Sequence, residues 1–268
     1  MNNFKMPPRN KISNKGSYGK VLNFVGCDNY IGAAYLSTVS PYKVGAGFVA
    51  LASERKVIDS VAKMLPEAVY LSRKEGLSSI ENYTVCILGC GLGLEKKSIE
   101  IFNKVLKRLH SLDIPLVLDA DGLNILANTN VVLPQNTIIT PHPMEAARLL
   151  NCSLEEVLSD MQLAASRLYQ KYSCVVVLKS HATIVLFKDE YFINDRGNSA
   201  LAKAGSGDVL AGIIAGLLAQ KMTPYEAAKL GVYLHSRAGE IASEDLTQYS
   251  VLASDLIKYI PKAIAEIS

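Results

Sequence analysis

Short, continuously apolar runs recur along the first two thirds of the chain: VLNFVG at 21–26, TVCILG at 84–89, PLVLDA at 115–120, NTIIT at 136–140 and CVVVLKS at 174–180. Between them lie longer segments with apolar residues at helical spacing, among them LEKKSIEIFNKVLKRLHSL and LSDMQLAASRLYQKY. A half-solvated strand alternates apolar and polar side chains, whereas a run with no polar face is covered on both sides, as parallel strands are. Strands of that kind alternating with amphipathic helices predict an α/β fold, a central, mostly parallel sheet with helices on both faces. Past Lys179 the pattern changes. ATIVLFKD and EYFIND are close enough to pair as a hairpin and add antiparallel strands at one edge, and from Gly207 onward the chain reads as helices. In TPYEAAKLGVYLHSRAGEIASE, Thr223 and Glu226 are spaced like a capping box, with Pro224 at the first helical position.

With 268 residues, 49% hydrophobic and 20% charged, the chain can bury a large core. No linker, repeat or low-complexity tract interrupts it, so a single domain over 1–268 is expected, with a polar leader at 1–14. The formal net charge of +3 is too small to imply a nucleic-acid partner, though a mild excess suits an anionic small molecule. The leader lacks the apolar core of a signal peptide and the longest apolar runs are too short to span a bilayer, which points to a cytoplasmic protein with no membrane partner. Cys27, Cys86, Cys90, Cys152 and Cys174 show no metal-site spacing, and most are read as small buried hydrophobes.

In open α/β sheets, ligands sit beyond the carboxyl ends of the strands. The loops there are NFVGCDNYIGA, ILGCGLG, LDADGLN, ITPHPMEAA, LKSHAT and GNSALAKAGSGD. In the last, AKAGSGDVLAGIIAG sets Asp208 between a glycine turn and an apolar helical run. A helix start has unpartnered N–H groups and a field that favours anions, so glycines just upstream suggest a phosphate cradle. Asp208 is then either a plain helix-start acid or a base that takes the proton of a substrate hydroxyl as it attacks phosphorus. GCGLG raises a dinucleotide fold, but the third glycine is missing, and Gly91 can equally serve a tight turn. Asp119 and Asp121, two apart, would point the same way on an extended backbone and share a cation or polar ligand; otherwise they cap the next helix, with Asn124 bonding locally. His142, held between two prolines, is expected to contact ligand, while His110 and His235, in helical patterns with apolar neighbours, are read as structural. His181 is left open. Lys179, at the mouth of an apolar strand, either snorkels to solvent or meets a nucleotide phosphate.

Taken together, KGSYGKVLNFVG, IGAAYLS, VGAGFV, LDADGLN, TPHPMEAARLL, GNSALAKAGSGDVLAGIIAG and YLHSRAGE resemble the ribokinase-like superfamily, and within it the nucleotide-dependent NAD(P)H-hydrate dehydratases, from Lys15 to about Ile260. Kinases of that superfamily typically carry Asn-x-x-Glu after the Thr-Pro; this chain has His142, Pro143, Met144 and Glu145, as the dehydratases do. The resemblance implies that Asp208 acts at the substrate and that Ala33, Gly91, Asn124 and His142 line the pocket for the hydrated nicotinamide. It also implies that Lys179, Ser180, His181, Ala182 and Thr183, with Asn198, Gly205, Ser206 and Gly207, hold ADP or ATP, and that Glu145 helps to order Mg²⁺ through water. A homotetramer is expected. With about fifteen residues before the first matching motif, an N-terminal epimerase domain is not. Asn14, Cys90 and Ser180 depart from the family's His, Pro and Gly; the last leaves nucleotide preference open.

The activity implied is the repair of NADHX or NADPHX to NADH or NADPH at the expense of ADP or ATP. The alternative of the same fold is a vitamin or sugar kinase, which would release a stable phosphorylated product. A nucleotide sensor without turnover and an NAD-dependent oxidoreductase are less well matched, the first by an intact Asp208 and the second for want of a dinucleotide fingerprint.

Overall fold

The computed structural model describes residues 4–267; of the polar leader, residues 1–3 lie outside the described residues. Among the described residues, nine strands form one sheet: β1 (Lys20–Phe24), β2 (Phe48–Ser53), β3 (Val69–Ser72), β4 (Val85–Leu88), β5 (Leu116–Leu118), β6 (Thr137–Ile139), β7 (Val175–Leu178), β8 (Thr183–Phe187) and β9 (Glu190–Asn194). Their order is β3-β2-β1-β4-β5-β6-β7-β8-β9. The pairs from β3 to β7 are all parallel, and β8 and β9 close one edge as an antiparallel hairpin. The expected architecture holds, with two strands the apolar runs did not announce: β2 lies in a glycine- and alanine-rich stretch, and β3 is a four-residue edge strand.

Alternate residues of the central strands feed two separate cores, which is why these strands have no polar face. Val21, Val85, Ile87, Val117, Val175 and Val177 belong to one core; Leu22, Cys86, Leu88, Leu116, Leu118, Val176 and Leu178 belong to the other. The first core is closed by the helices Ile31–Lys43, Ser206–Ala219, Pro224–Ser250 and Ala253–Ala265. The second is closed by Lys96–His110, Asp121–Ala127, Pro143–Leu150 and Met161–Tyr172.

The helix Ser206–Ala219 is apolar all round because it is enclosed: 12 of its 14 residues are buried. Its glycines permit close approach. A Cβ on Gly212 would stand 2.6 Å from Ser40 Cβ, and one on Gly216 would stand 2.5 Å from Val44 Cγ2. The helix therefore packs almost backbone to backbone on Ile31–Lys43, and that contact fixes where its N-terminus points. Among the described residues, no helix is long and apolar enough to cross a membrane.

Candidate active site

Beyond the carboxyl ends of β5, β6 and β7 the chain encloses a cavity of about 820 Å³. Its lining brings together Asp208, His142, Glu145, Lys179, Ser180, His181, Thr183, Asn198, Gly205, Ser206 and Gly207, residues drawn from three separate stretches of the chain. Ala33 and Gly91 lie together a little further along the sheet: a Cβ on Gly91 would be 2.9 Å from Ala33 Cβ and 2.5 Å from Tyr30 Cβ. Asn124 is placed differently from the local bonding considered for it, since its Oδ1 accepts from Arg148 Nη1 at 2.9 Å. A larger and more open groove, about 1340 Å³, runs between residues 4–9 and β9; it is lined by aromatic side chains such as Phe4, Phe192 and Tyr233 and includes none of the buried carboxylates described next.

The turn before Ser206–Ala219 is a cradle. Gly205 adopts φ 90°, a left-handed conformation that favours glycine, and the next N–H groups, at Gly207 and Asp208, belong to the first helical turn, where no intrahelical acceptor exists. A Cβ on Gly207 would sit 3.4 Å from Lys179 Nζ and 3.6 Å from Asp119 Oδ2, so the missing side chain leaves room for an anion directly beside an ammonium group. Asp208 occupies the third position of this helix. Burial, reinforced by the nearby Asp119 charge, pushes its carboxyl up to about 7, far above the ordinary Asp range.

Two carboxylates gather around Lys179. Its Nζ donates to Asp119 Oδ1 at 2.8 Å and lies 3.8 Å from Glu145 Oε2. Burial alone would lower the lysine pKa, but those two carboxylates outweigh it and hold the group firmly protonated. The strand-end lysine thus neither extends into solvent nor reaches out alone: its head is fixed on Asp119, next to the cradle. Glu145, 5% exposed, is raised by burial, and Lys179 works against that shift.

Asp119 and Asp121 diverge, contrary to either sequence expectation. Ala120 between them takes φ 51° and ψ −118°, which breaks the extended backbone that would have aligned them. Asp119 turns inward to Lys179, while Asp121 Oδ2 accepts from Gly93 N at 2.8 Å; the N-cap position falls to Ala120, with no side-chain cap.

His142 does two things. Its Nδ1 accepts from Met144 N at 3.2 Å and Glu145 N at 3.3 Å, capping Pro143–Leu150, and Glu145 Oε2 accepts from His142 N at 2.8 Å. The ring stays half-exposed at the cavity, with Nε2 3.4 Å from Glu145 Oε1, and burial with the Lys179 charge keeps its pKa low, so it is a neutral cap.

The three departures have local explanations. Asn14 caps Lys15–Tyr18 by accepting from Gly16 N at 2.8 Å. Ser180 has no need of glycine, since its φ is not positive; its Oγ accepts from Ala182 N at 3.1 Å, and Thr183 Oγ1 donates to Ser180 O at 3.1 Å, closing the 180–183 turn. Cys90 is fully buried beneath the site, its thiol among the carboxylates of Asp119 and Asp208, with one atom from each of the three within 4.8 Å of the others. Burial and those negative neighbours raise its pKa far above the ordinary thiol value. The sequence marks Cys90 as a departure from the family's Pro, and it is buried as most of the cysteines were expected to be; its carboxylate neighbours were not foreseen. His110 is exposed instead of packed among apolar residues, and its Nε2 meets Val132 O at 2.6 Å. His235 is buried as expected, yet it lies against the cradle, with Nε2 3.0 Å from Ser206 Oγ.

A mostly parallel nine-stranded sheet with an antiparallel edge, and a glycine cradle carrying an acid at a buried helix start, define the ribokinase-like class of α/β proteins. Within that class the chain belongs to the NAD(P)H-hydrate dehydratase family, which it matches over residues 21–262. It is 36% identical to the ADP-dependent (S)-NAD(P)H-hydrate dehydratase of Neisseria meningitidis over 88% of this chain and 81% of that one. It is also 40% identical, over 95% of its length, to the bifunctional NAD(P)H-hydrate repair enzyme Nnr of Vibrio cholerae, of which it spans about half, 51%. The crystal structure of the ADP/ATP-dependent NAD(P)H-hydrate dehydratase of Bacillus subtilis, co-crystallised with ATP and Mg²⁺, superposes with a TM-score of 0.88 at 28% identity, covering 98% of this chain and 95% of that one.

Proposed function

We propose that the protein dehydrates NADHX or NADPHX to NADH or NADPH, consuming ADP, or ATP, and releasing AMP, or ADP, with phosphate. The observation that carries this reading is the convergence in one cavity of a buried carboxylate, a glycine turn at a helix N-terminus and a histidine where kinases of the superfamily carry asparagine. Water added across the C5–C6 bond of the reduced ring leaves a hydroxyl at C6, and hydroxide is a poor leaving group. Asp208 takes that hydroxyl's proton while its oxygen attacks the terminal phosphorus of the nucleotide, whose bridging P–O bond breaks. The ring nitrogen then donates its lone pair as phosphate leaves C6, and loss of a C5 proton restores the double bond. A carboxyl titrating near 7 is deprotonated often enough at neutral pH to act as base and basic enough to accept the proton.

In this reading the first N–H groups of Ser206–Ala219 and the Lys179 ammonium hold the transferring phosphoryl group. The 179–183 turn and Asn198 hold the nucleotide, and His142, with Ala33, Gly91 and Asn124, shapes the nicotinamide pocket. Buried carboxylates in excess of the nearby ammonium form an oxygen donor set that suits Mg²⁺, and Glu145 with Asp119 would hold it, with water between. The ion would neutralise phosphate charge. The protein would act in the cytoplasm, as a homotetramer.

The test is to mix the purified protein with hydrated NADH, Mg²⁺ and either ADP or ATP and follow the return of reduced-nicotinamide absorbance. Nucleotide-dependent recovery with phosphate release supports the reading and names the donor. No recovery with either nucleotide, from protein that binds both, would overturn it in favour of a kinase.

A further inference from the structure

Behind the cradle stands a side chain that the reaction as described does not use. His235, on the long helix Pro224–Ser250, is 7% exposed, and its Nε2 lies 3.0 Å from Ser206 Oγ; Ser206, 6% exposed, is the first residue of the cradle helix. Both border the cavity. We propose that His235 is a positioning residue for phosphoryl transfer: it donates from Nε2 to Ser206 Oγ and so turns the serine hydroxyl hydrogen toward the phosphate, making Ser206 a side-chain donor alongside the backbone N–H groups.

The geometry favours this over a packing contact. A serine hydroxyl has one hydrogen and two acceptor lone pairs, and an imidazole nitrogen at 3.0 Å can either give it a proton or take one. With the cradle filled by an anion, the field of the phosphate draws the hydroxyl hydrogen outward, and the freed lone pair then needs a donor from the rear, which Nε2–H supplies. Burial, with the nearby Lys179 ammonium, outweighs a hydrogen bond to the Ser206 backbone that favours the charged form, and keeps the ring neutral, so it holds one proton that either ring nitrogen can carry. A lysine in its place would add a buried charge, and an alkyl group would leave the hydroxyl free to point away from the phosphate. The helix dipole and a two-bond chain ending on phosphate then act along the same line.

This inference rests on reading residues 205–208 as the phosphate cradle, and the experiment separates the two. ADP and adenosine affinities, kcat and KM are measured for the wild type, Ser206→Ala, His235→Leu, His235→Gln and the Ser206→Ala/His235→Leu double variant, each with its melting temperature. Glutamine places an N–H near the position of Nε2, whereas leucine fills the space without a donor. The expected result is a loss of about 10- to 100-fold in ADP affinity and in kcat/KM for Ser206→Ala and for His235→Leu. Adenosine affinity should be unchanged, His235→Gln should lie within about threefold of wild type, and the double variant should be no worse than either single. Losses that multiply in the double variant, equal weakening of adenosine and ADP, or His235→Gln as damaged as His235→Leu would overturn the inference while leaving the cradle in place. If His235→Leu does not fold, Ser206→Ala and His235→Gln still decide it. A wild type that binds ADP no more tightly than adenosine would remove the cradle itself, and the inference with it.

Discussion

Asp208 carries a cost that a role as base would explain. Its folded pKa, near 7, lies above the ordinary Asp value, so the folded state holds its proton more tightly than the unfolded chain does. A raised acid pKa means that stability is greatest below about pH 4 from this group's standpoint and is lost as pH rises through the window from about 4 to 7. Asp208→Asn removes the charge and should stabilise the protein at pH 8 by on the order of 1 kcal/mol, measured by urea unfolding, while turnover falls by three orders of magnitude or more. In the wild type, kcat/KM should rise with pH to a plateau above about 7; a profile flat from pH 5 to 8 would exclude Asp208 as the base. Lys179 behaves in the opposite sense. Lys179→Met strips the partner from Asp119, which is 2% exposed, and from Glu145, and should destabilise the fold by about 3–5 kcal/mol. Adding Asp119→Asn to Lys179→Met should recover much of that stability, because it removes the stranded charge; chemical denaturation of the two variants reads the difference.

Elements explain why some residues were legible in the sequence and others were not. Continuous apolar runs announced five of the seven parallel strands, because a strand between two cores has no room for a polar face. β2 and β3 escaped because one is built of small residues and the other of four at an edge. Glycines before an apolar helix announced the turn at 205–207, and the flanking prolines announced His142 as a loop residue, which the structure places at the cavity. Asp119 and Asp121 were misread because one backbone angle at Ala120, invisible in residue types, sends them apart. The partners of Cys90 and His235 come from loops and helices distant in sequence, and no local pattern encodes those meetings. The same helix shows how element packing serves the site. Gly212→Ala presses a methyl group against Ser40 Cβ at 2.6 Å and Ser37 O at 2.9 Å, both within the facing helix. Overpacking of about 1–3 kcal/mol exceeds the helix propensity gained, up to about 1 kcal/mol, so Gly212→Ala should lower the melting temperature and weaken nucleotide binding by shifting the cradle.

At the scale of the whole molecule, the cavity is where the two cores meet. Ser206–Ala219 reaches it from one face of the sheet, Pro143–Leu150 from the other, and the loop after β7 lies between them. A nucleotide seated there would touch elements of both layers, so its binding should stabilise the entire fold and not a single loop. At one hundred times its dissociation constant, a ligand specific for the folded state adds about 2.7 kcal/mol. For a chain of this size each kcal/mol raises the melting temperature by about 2–4 °C. ADP with Mg²⁺ should therefore raise the midpoint by about 5–10 °C in a single cooperative transition. Gly207→Ala supplies the control: its methyl group meets Lys179 Nζ and Asp119 Oδ2 at ordinary contact distances, so the unliganded protein should melt within about 2 °C of wild type. That methyl would also occupy the space proposed for phosphate, so the ADP-induced rise should shrink to a few degrees at most. A full ADP shift in Gly207→Ala would mean that the phosphate lies elsewhere in the cavity, and the 820 Å³ enclosed by these loops leaves room for that alternative to be read directly from the melting curves.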